Sequence, residues 1–304
     1  MRCLILLATF NGEKYLDDQL SSCAAQGFAQ VDVLASDDGS SDRTIAVLKA
    51  WQSTWDQGNF QIIEGPRQGF SENFRHLILN SREGYDYYAF CDQDDVWHVD
   101  KLTTAHAQLG ARADEAGVYC GRTRIIDETG NFEGYSPVMA MPPAFKNALF
   151  QSLAGGNTMV LNAQAMSLLR RVSVDCRFVS HDWWAYIWVT GVGGKVIYDA
   201  TPKIDYRQHP ENLIGKNSGF SARLRRAAML LTKRYHNWIE LNLSSLKQNI
   251  DVLAPENRAL LEELLASREK SGWLFARELV RAQIYRQSRL GTVSLYAGAL
   301  SGRI

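Results

Sequence analysis

The first 113 residues alternate short apolar, β-prone runs with longer stretches of helical periodicity. The apolar runs cover residues 3–8, 31–36, 60–64 and 87–91, and the helical stretches cover residues 15–25, 44–51, 71–80 and 99–113. Alternation of this kind is typical of a mostly parallel sheet, because each parallel strand needs a crossover helix to bring the chain back. The sequence therefore predicts a Rossmann-like α/β fold, in which helices flank both faces of a twisted sheet.

A polar cluster follows each of the four predicted strands. In chain order the clusters are Thr9 with Asn11 and Gly12, Asp37 with Asp38, residues 65–69, and residues 92–95. Because ligands of open α/β sheets bind outside the carboxyl ends of the strands, we expect the four clusters to form one site. Taken singly, each cluster is equally well interpreted as a turn or a helix cap.

The segment FCDQDDVWHVDKL, residues 90–102, is the most acidic of these clusters. It places Asp92, Asp94 and Asp95 within four positions directly after an apolar run. Carboxylates this close repel one another, and burying them unpaired is costly, so either basic side chains or a metal ion must accompany them. Carboxylate and phosphate oxygens are the ligands that Mg²⁺ and Mn²⁺ prefer. Since no basic partner stands beside the cluster, we predict that the positive charge is a divalent cation that arrives with the substrate.

The segment SDDGSSD, residues 36–42, is suited to a nucleotide. Asp37 and Asp38 precede a tight turn at Gly39, and a carboxylate there can accept hydrogen bonds from a base N–H or from ribose hydroxyls. The chain has no P-loop lysine motif. A nucleotide bound here would therefore be held through its diphosphate by the cation.

Charge and hydropathy exclude two classes of protein. Lys plus Arg and Asp plus Glu each number 33 in 304 residues, so the chain lacks the overall basicity of a nucleic-acid-binding protein. No apolar run approaches the roughly 18 residues of a membrane-spanning helix, and the apolar start is too short for a signal peptide. The five cysteines are odd in number and widely spaced, which favours a reducing cytosol over a disulfide framework or a zinc site.

These segments resemble the family 2 glycosyltransferases of the GT-A fold, and in particular their bacterial rhamnosyltransferase-like branch. ATFNGEKYLDDQLSS resembles the family's first strand, nucleotide loop and helix, SDDGSSDRT its second unit, RQGFSENF its third segment and FCDQDDVWHVDKL its DxD region. The resemblance covers nearly all of residues 1–215. It implies a catalytic domain there, with a nucleotide-sugar-binding half at 1–115 and an acceptor half at 116–215.

The resemblance also implies roles for the residues that match these motifs. The implied nucleotide-sugar-binding residues are Thr9, Asn11, Asp37, Asp38, Asn73, Asp92 and Gln93. Among them Thr9, Asn11 and Asp38 would contact the nucleoside. Asp94 would be the principal ligand of Mn²⁺ or Mg²⁺, and Asp92 would bind ribose or a water of the metal shell.

Two segments of the second half resemble the acceptor side of the family. LAGGNTMVLNAQ, residues 153–164, resembles a segment in which a glycine pair lets the backbone approach the sugar, and SHDWWAYIWV, residues 180–189, resembles the one bearing the catalytic base. Many relatives have Glu-Asp where this chain has His181 and Asp182, so Asp182 is the implied base and the role of His181 is open. The implied acceptor-side residues are Gly155, Gly156, Asn157, His181 and Trp183. On capping preference alone, Ser180 and Asp182 are also candidates to cap the following helix.

YRQHPENLIGKN, residues 206–217, resembles a loop of this branch whose histidine lies near the diphosphate and the metal. The resemblance makes His209 an implied second metal ligand. A loop histidine is equally well interpreted as a solvated polar residue.

Residues 216–304 are predicted to form a helical C-terminal region, since the strand–helix alternation stops there. Apolar residues recur at helical spacing over residues 224–238 with basic residues among them, and residues 256–287 look helical again, turning basic between 277 and 289. One interpretation is an appendage that packs on the catalytic domain or on another subunit. The other is peripheral attachment to the anionic cytoplasmic face of the membrane.

The resemblance implies an inverting glycosyltransferase of the cytoplasm. Its implied donor is dTDP-L-rhamnose, and its implied acceptor is a bacterial surface polysaccharide or lipid-linked oligosaccharide such as an O-antigen. A UDP-hexose donor is an alternative. Two other classes stay open: a nucleotidyltransferase, which needs a more basic loop after the first strand than ATFNGEKYL with its single Lys14, and a non-catalytic binding protein descended from an enzyme.

Overall fold

The computed structural model describes residues 1–110, 114–209 and 232–304, and its first half follows the predicted alternation. The elements of this half are β1 Arg2–Thr9, α1 Leu16–Ala24, β2 Gln30–Asp37, α2 Thr44–Thr54, β3 Phe60–Glu64, α3 Phe70–Asn80, β4 Tyr87–Cys91, β5 Val96–Trp97 and α4 Lys101–Leu109. All eight predicted elements are present, although residues 111–113, the end of the last predicted helix, lie outside the described residues. The short strand β5, directly behind the acidic cluster, was not predicted, because two residues are too few to show a period.

The second half is less regular and ends in helices. Its elements are β6 Gly117–Gly121, β7 Arg124–Ile126, β8 Phe132–Tyr135, α5 Phe145–Ala148, β9 Val160–Asn162, α6 Ala163–Val172, α7 His181–Gly191, β10 Lys195–Asp199, β11 Ile204–Arg207, α8 Lys233–Gln248, α9 Pro255–Lys270, α10 Gly272–Arg281 and α11 Arg289–Leu300. The helix predicted over residues 224–238 falls mostly outside the described residues, and α8 contains only its end. The stretch predicted as helical over 256–287 is divided at Ser271, whose backbone is extended and whose side chain caps α10.

The central sheet of the described residues has seven strands in the order β10-β6-β9-β4-β1-β2-β3. Its neighbours pair in parallel except at β9, which is antiparallel to both β4 and β6. The carboxyl ends of β1, β2, β3 and β4 therefore meet at one edge. A second sheet, in the order β5-β11-β7-β8, lies beyond the end of β4 and adjoins that edge through the acidic loop between β4 and β5.

The two faces of the central sheet pack against different helical layers, as β1 illustrates. Leu4 and Leu6 join the core formed with α3, α6 and α7, whereas Cys3, Ile5 and Leu7 join the core formed with α1 and α4. Successive side chains of a strand point to opposite faces, so a strand covered on both faces must be apolar throughout. This requirement explains the unbroken apolar run that marked β1 in the sequence.

The C-terminal helices share a hydrophobic core with the elements that precede them in the chain. Tyr235, Leu246, Phe275 and Leu295 belong to the same buried cluster as α3 and α7. The hydroxyl of Tyr235 also donates a 2.7 Å hydrogen bond to the carbonyl of Phe150. Within the described ranges, this confirms the interpretation that the appendage packs on the rest of the chain. No helix in those ranges is long and apolar enough to cross a membrane.

Candidate active site

The turns that follow the strands are joined to one another at the carboxyl edge of the sheet. The N–H of Asp38 donates to the carbonyl of Thr9 (2.8 Å), and the N–H of Gly65 donates to the carbonyl of Asp37 (2.7 Å). These bonds link the turns after β1, β2 and β3. Three of the four predicted polar clusters are therefore directly connected.

Gln93 connects the fourth cluster to the first. Its amide oxygen accepts from the N–H of Phe10 (2.8 Å) and its amide nitrogen donates to the carbonyl of Phe10 (3.0 Å). A Cβ on Gly12 would lie 2.3 Å from the amide oxygen of Gln93, so Gly12 has to be glycine for this contact to form. The side chain of Gln93 thus fixes the acidic loop against the loop after β1.

Asp37 shapes the second turn from within. Its carboxylate accepts from the hydroxyls of Thr9 (2.9 Å) and Ser40 (2.6 Å) and from the N–H groups of Gly39 (3.1 Å) and Ser40 (2.8 Å). Four donors occupy the lone pairs of a carboxylate. The side chains of Thr9 and Asp37 are therefore engaged with the protein, and their predicted nucleoside contacts stay predictions.

Asp38 holds the third turn. Its carboxylate accepts from the N–H groups of Arg67 (2.6 Å) and Gly69 (2.7 Å), both of which have left-handed backbones. Asn73, at the start of α3, is buried and exchanges two hydrogen bonds with Ser36, at 2.6 and 2.9 Å. Asn73 thus forms part of the wall behind the turns, while Asp38 retains lone pairs for a ligand.

Asn11 is the most exposed of the predicted nucleoside-contacting residues. Its backbone is left-handed (φ 48°), a conformation that asparagine tolerates better than most residues. Its side-chain oxygen accepts from the N–H of Ser41 (2.8 Å), and its own N–H donates to the hydroxyl of Ser40 (2.8 Å). The loop after β1 is thus held to the turn after β2 at the open side of the crevice.

Asp92 is influenced by carboxylates from both halves of the chain. Burial, together with the negative charges of Asp94 and Asp182, raises the pKa of Asp92 to about 7. Asp182 lies 88 residues after Asp94 and 90 residues after Asp92 in the sequence, yet its charge acts on Asp92. The acidic loop and the predicted base therefore lie within electrostatic range of each other.

Asp94 is paired with His209. The Nε2 of His209 lies 2.8 Å from a carboxylate oxygen of Asp94, and both side chains are largely buried. Adjacent ligands of an octahedral ion at 2.0–2.1 Å lie roughly 3 Å apart, so this pair fits two neighbouring positions around Mg²⁺ or Mn²⁺. Within the described residues no group of three or more His, Cys, Asp or Glu side chains is arranged to hold a metal. An ion here would need further ligands from phosphate and water.

Two basic residues lie beside the acidic cluster, contrary to the expectation that it has no basic partner. Lys101 is buried with its Nζ 3.3 Å from the centroid of the Trp97 ring, and burial lowers its pKa to about 8. Arg207 donates from its side chain to the carbonyl of Asp94 (3.1 Å) and forms an ion pair with Asp18 (2.9 Å). Lys101 begins α4, where a cation opposes the helix dipole. That unfavourable position was the signal in the sequence that a specific partner holds this lysine.

Asp95 differs from Asp92 and Asp94 because its side chain points into the protein. Its carboxylate accepts from the side-chain nitrogen of Asn157 (2.6 Å) and from the N–H of Arg207 (3.1 Å). Burial and the charges of Asp94 and Asp92 raise its pKa. Asn157 is likewise buried, so the structure brings this predicted acceptor-side residue under the acidic loop.

Asp182 stands at the start of α7 and is held from the acceptor side. Its carboxylate accepts a 2.9 Å hydrogen bond from the hydroxyl of Ser152, a residue that no sequence motif indicates. Ser180 occupies the N-cap position of α7 but makes no side-chain cap bond. The capping interpretation of Ser180 thus has no hydrogen bond behind it.

His181 and Trp183 flank Asp182 and are both buried. The ring of His181 stacks on Phe74 with 3.5 Å between centroids, and its pKa is lowered to about 4 by burial. Trp183 donates from its indole nitrogen to the carbonyl of Ala148 (2.6 Å). A Cβ on Gly156 would lie 1.8 Å from Nε2 of His181, whereas one on Gly155 would lie 2.7 Å from the side-chain oxygen of Asn157. The glycine pair therefore accommodates neighbouring protein atoms, and its predicted approach to a sugar stays a prediction.

The chain is similar in sequence to a known protein family and to several characterised proteins. A family model described as "Glycosyl transferase family 2" matches residues 4–178, more than half of the chain. The dTDP-rhamnosyl transferase RfbG of Shigella flexneri is 26% identical over 244 residues, which are 75% of this chain and 80% of that protein. A GalNAc(5)-diNAcBac-PP-undecaprenol β-1,3-glucosyltransferase of Campylobacter jejuni is 27% identical over 127 residues, 42% of this chain and 39% of that protein.

Solved structures share the fold at low sequence identity. TarS of S. aureus, in complex with UDP-GlcNAc, is similar with a TM-score of 0.54 and 14% identity, over 99% of this chain and 91% of that chain. The mannosyltransferase PcManGT from Pyrobaculum calidifontis, in complex with GDP-Man and Mn²⁺, is similar with a TM-score of 0.50 and 15% identity, over 99% of this chain and 85% of that chain. At these identities the likeness concerns the fold alone.

Proposed function

We infer the reaction from the family: this chain belongs to glycosyl transferase family 2 and is a glycosyltransferase with the GT-A fold and a C-terminal helical region. We propose that it inverts the configuration of the sugar that it transfers. The donor would be a nucleoside diphosphate sugar and the acceptor a saccharide hydroxyl. The observation that carries this proposal is the electrostatic influence of both Asp94 and Asp182 on Asp92. A donor-side acid and a separate carboxylate on the acceptor side are what a single displacement needs.

Asp182 is the general base of this proposal. Its carboxylate would take the proton of the acceptor hydroxyl as that oxygen attacks carbon 1 of the sugar. The hydrogen bond from Ser152 fixes one carboxylate oxygen and leaves the other for the acceptor. Attack from the side opposite the leaving diphosphate inverts the configuration at carbon 1.

Asp94 and His209 would hold Mn²⁺ or Mg²⁺ together with oxygens of the donor diphosphate. When bound, such an ion supplies charge stabilisation for the departing nucleoside diphosphate. The 2.8 Å pairing of the two side chains keeps them together before any ion binds. The mannosyltransferase of the same fold was solved with Mn²⁺, which supports the choice of ion.

The donor that we favour is dTDP-L-rhamnose, and the acceptor a bacterial surface polysaccharide or lipid-linked oligosaccharide such as an O-antigen. Support comes from the rhamnosyl transferase RfbG, which matches three quarters of this chain. A UDP-hexose is the alternative donor, since TarS of the same fold was solved with UDP-GlcNAc. The loop after β1 argues against a nucleotidyltransferase, because its one basic residue, Lys14, is bound to Glu128 at 2.7 Å and leaves no lysine for a triphosphate.

A lipid-linked acceptor would place the protein on the cytoplasmic face of the membrane, and the outward surface of α10 and α11 is suited to that. The start of α10 lies against the end of α11, because a Cβ on Gly272 would lie 2.5 Å from the carbonyl of Ala299. The large apolar side chains exposed on the two helices are Trp273, Val280, Leu290, Val293 and Leu300. Residues 272–304 contain five arginines and one acid, Glu278, which is buried against Arg281. An apolar surface with basic residues favours anionic lipid.

A donor panel tests the proposed reaction. The protein is incubated with Mn²⁺, an acceptor oligosaccharide and, in turn, dTDP-rhamnose, UDP-glucose and UDP-galactose, while the release of nucleoside diphosphate is measured. We expect release with dTDP-rhamnose, and a loss of about 10²- to 10⁴-fold in Asp182→Asn with donor binding retained. Asp182→Asn that turned over like the parent would show that the base is another group.

A further inference from the structure

The acidic loop is joined to the acceptor-side glycine segment by hydrogen bonds that are sealed from solvent. Asp95 is fully buried, and one of its carboxylate oxygens accepts from Asn157 Nδ2 at 2.6 Å. The other oxygen accepts from the N–H of Arg207 at 3.1 Å. Its neighbour Asp94 turns the opposite way, toward His209. The loop therefore has one acid facing the crevice and the next one anchored in the protein.

Asn157 bridges two buried groups of opposite charge. Its side-chain nitrogen donates to the carboxylate of Asp95, and its backbone carbonyl accepts from Nζ of Lys101 at 2.5 Å. Lys101 is itself buried over the ring of Trp97. Donors therefore face the carboxylate and an acceptor faces the ammonium, which is the arrangement that lowers the cost of burying both.

The segment that contains Asn157 also holds the proposed base. Five residues before Asn157, the hydroxyl of Ser152 donates to the carboxylate of Asp182 at 2.9 Å. Asp94 is covalently linked to Asp95, Asp95 is hydrogen-bonded to Asn157, and Ser152 is hydrogen-bonded to Asp182. The chain between residues 152 and 157 joins the two contacts, so Asp94 and Asp182 are connected through hydrogen bonds and a short length of backbone. The sequence alone does not indicate this connection between the donor side and the acceptor side of the site.

We propose that Asp95, Asn157 and Lys101 form a buried tie that sets the position of Asp182 relative to Asp94. The three residues are positioning residues: they act on the reaction through the acids that they hold in place. The inference rests on the proposed function, which supplies the roles of Asp94 and Asp182. Because a displacement of about 1 Å in a reacting group can cost on the order of 100-fold in rate, a tie of this kind matters more for turnover than for binding.

The chemistry of the tie explains why position 95 is an acid. Both of its oxygens accept from N–H groups, and a carboxylate is a side chain that only accepts. An asparagine at 95 would turn its NH₂ group toward either the N–H of Arg207 or the NH₂ of Asn157. Two donors would then face each other in a fully buried site, which leaves one of them unsatisfied.

The test is a reciprocal exchange of the two side chains. Asn157→Asp alone sets two carboxylates against each other, and Asp95→Asn alone sets two donors against each other. The double variant, Asp95→Asn with Asn157→Asp, restores one donor and one acceptor between the two positions with reversed polarity, and the new carboxylate lies near Lys101. Asn80→Asp, at the exposed end of α3, is the matched control for adding a negative charge.

We expect kcat to fall by about 10-fold or more in each single variant and to recover at least severalfold in the exchange, since coupled sites depart from additivity. The donor KM and the Mn²⁺-dependent binding of the nucleoside diphosphate should change less than about threefold. A purely structural role would change thermal stability without this split between kcat and KM. Two results would overturn the tie: unchanged kcat in Asn157→Asp, or additive losses in the double variant.

The outcome also separates the tie from the proposed function. A parent protein that releases no nucleoside diphosphate from any donor in the panel contradicts the proposed function. In that case the same four proteins are compared by thermal unfolding, where recovery of Tm in the exchange supports the contact and additive losses reject it. Nucleotide binding that collapses in Asp95→Asn would make Asp95 a ligand-contacting residue and would overturn the positioning role.

Discussion

The imidazole of His181 occupies the space that a side chain on Gly156 would need. A Cβ built on Gly156 would lie 1.8 Å from Nε2 of His181, a separation that no pair of non-bonded atoms tolerates. The ring cannot move aside, because it is stacked on Phe74 and lies edge-on to Phe90. His181, whose role the sequence left open, therefore determines that residue 156 is glycine.

Gly156→Ala should consequently destabilise the protein. Inserting a methyl group into a packed site typically costs about 1–3 kcal/mol, which we expect to see as a lower Tm in thermal unfolding. Gly27→Ala is the matched control, because a Cβ at Gly27 meets nothing within 4 Å. Combining Gly156→Ala with His181→Ala should cost less than the sum of the two single changes. Additive losses would mean that the ring and the methyl group do not compete for the same space.

The burial of His181 also predicts a dependence of stability on pH. Its two ring nitrogens are buried and find no hydrogen-bond partner among the described residues, and its pKa is lowered to about 4 from an ordinary 6.5. Between pH 6.5 and pH 4, His181 therefore binds a proton in the unfolded chain but stays neutral in the folded protein. The contribution of His181 to the free energy of unfolding is therefore fully present above pH 6.5. It is lost as the pH falls toward 4, by on the order of 3 kcal/mol.

Comparing Tm between pH 7.5 and pH 4.5 for the parent and for His181→Gln measures this effect. We expect the parent to lose stability more steeply, because glutamine does not titrate. Other acids contribute equally to both proteins, including Asp92, whose raised pKa acts in the opposite direction. His76→Gln, on the partly exposed face of α3, should follow the parent. Parallel curves for the parent and His181→Gln would show that His181 is not held neutral.

Local patterns predicted the scaffold of this protein better than they predicted the surroundings of its site. The strands β1 to β4 and the turns after them are signalled by apolar runs and by the turn residues that follow each run. Gln93 was placed with the nucleotide-binding residues from its motif, but its two bonds to Phe10 span 83 residues. A partner at that distance leaves no trace in a local pattern.

The prediction that the acidic cluster has no basic partner was wrong for the same reason. Lys101 stands only six residues after Asp95, yet both are joined through Asn157, 56 residues further on. Arg207 reaches the cluster from 112 residues away. The acids are adjacent in the sequence and are recognised together, whereas Arg207 comes to them only through the fold. Lys101 is near in the sequence, and only its unfavourable position at the start of α4 indicates that it is held by a partner.

The pair of Asp94 and His209 predicts how the protein responds to metal. Asp94→Ala and His209→Ala should each weaken Mn²⁺-dependent binding of the nucleoside diphosphate by roughly 10-fold or more, because each would remove one ligand from the proposed ion, which would have few protein ligands. Chelation with EDTA should abolish the difference between the parent and both variants. Isothermal titration calorimetry with dTDP or UDP, with and without Mn²⁺, measures these affinities.

His98 offers a matched control for that experiment. Its Nε2 lies 2.8 Å from a carboxylate oxygen of Asp205 in β11, so it forms a His–Asp pair of the same length. His98→Ala should leave Mn²⁺-dependent binding unchanged. Nucleotide affinity that is independent of Mn²⁺ in the parent would contradict a metal site at Asp94 and His209.

The outward surface of α10 and α11 predicts binding to anionic lipid that depends on salt. Trp273 is 58% exposed and Val293 is 63% exposed, and Arg277 lies 5.4 Å above the ring of Trp273. We expect the protein to sediment with phosphatidylglycerol vesicles but only weakly with phosphatidylcholine vesicles. Binding should weaken as salt rises, since each basic residue near the surface contributes about 1 kcal/mol by an interaction that ions screen.

Variants of the same surface separate the apolar from the electrostatic contribution. Trp273→Ser with Val293→Ser removes exposed apolar area that the vesicle would cover, so it should reduce vesicle binding at every salt concentration. Arg277→Gln should reduce binding mainly at low salt. Phe132→Ser, which changes a half-exposed aromatic residue on β8, is the control and should bind like the parent. The contrary result is a parent that binds no vesicles at any salt concentration and forms a dimer, which Val293→Ser dissociates. That result would show that the surface joins two copies of the chain. Since an apolar face that serves a dimer would be covered in solution, light scattering and vesicle sedimentation on the same sample distinguish the two outcomes.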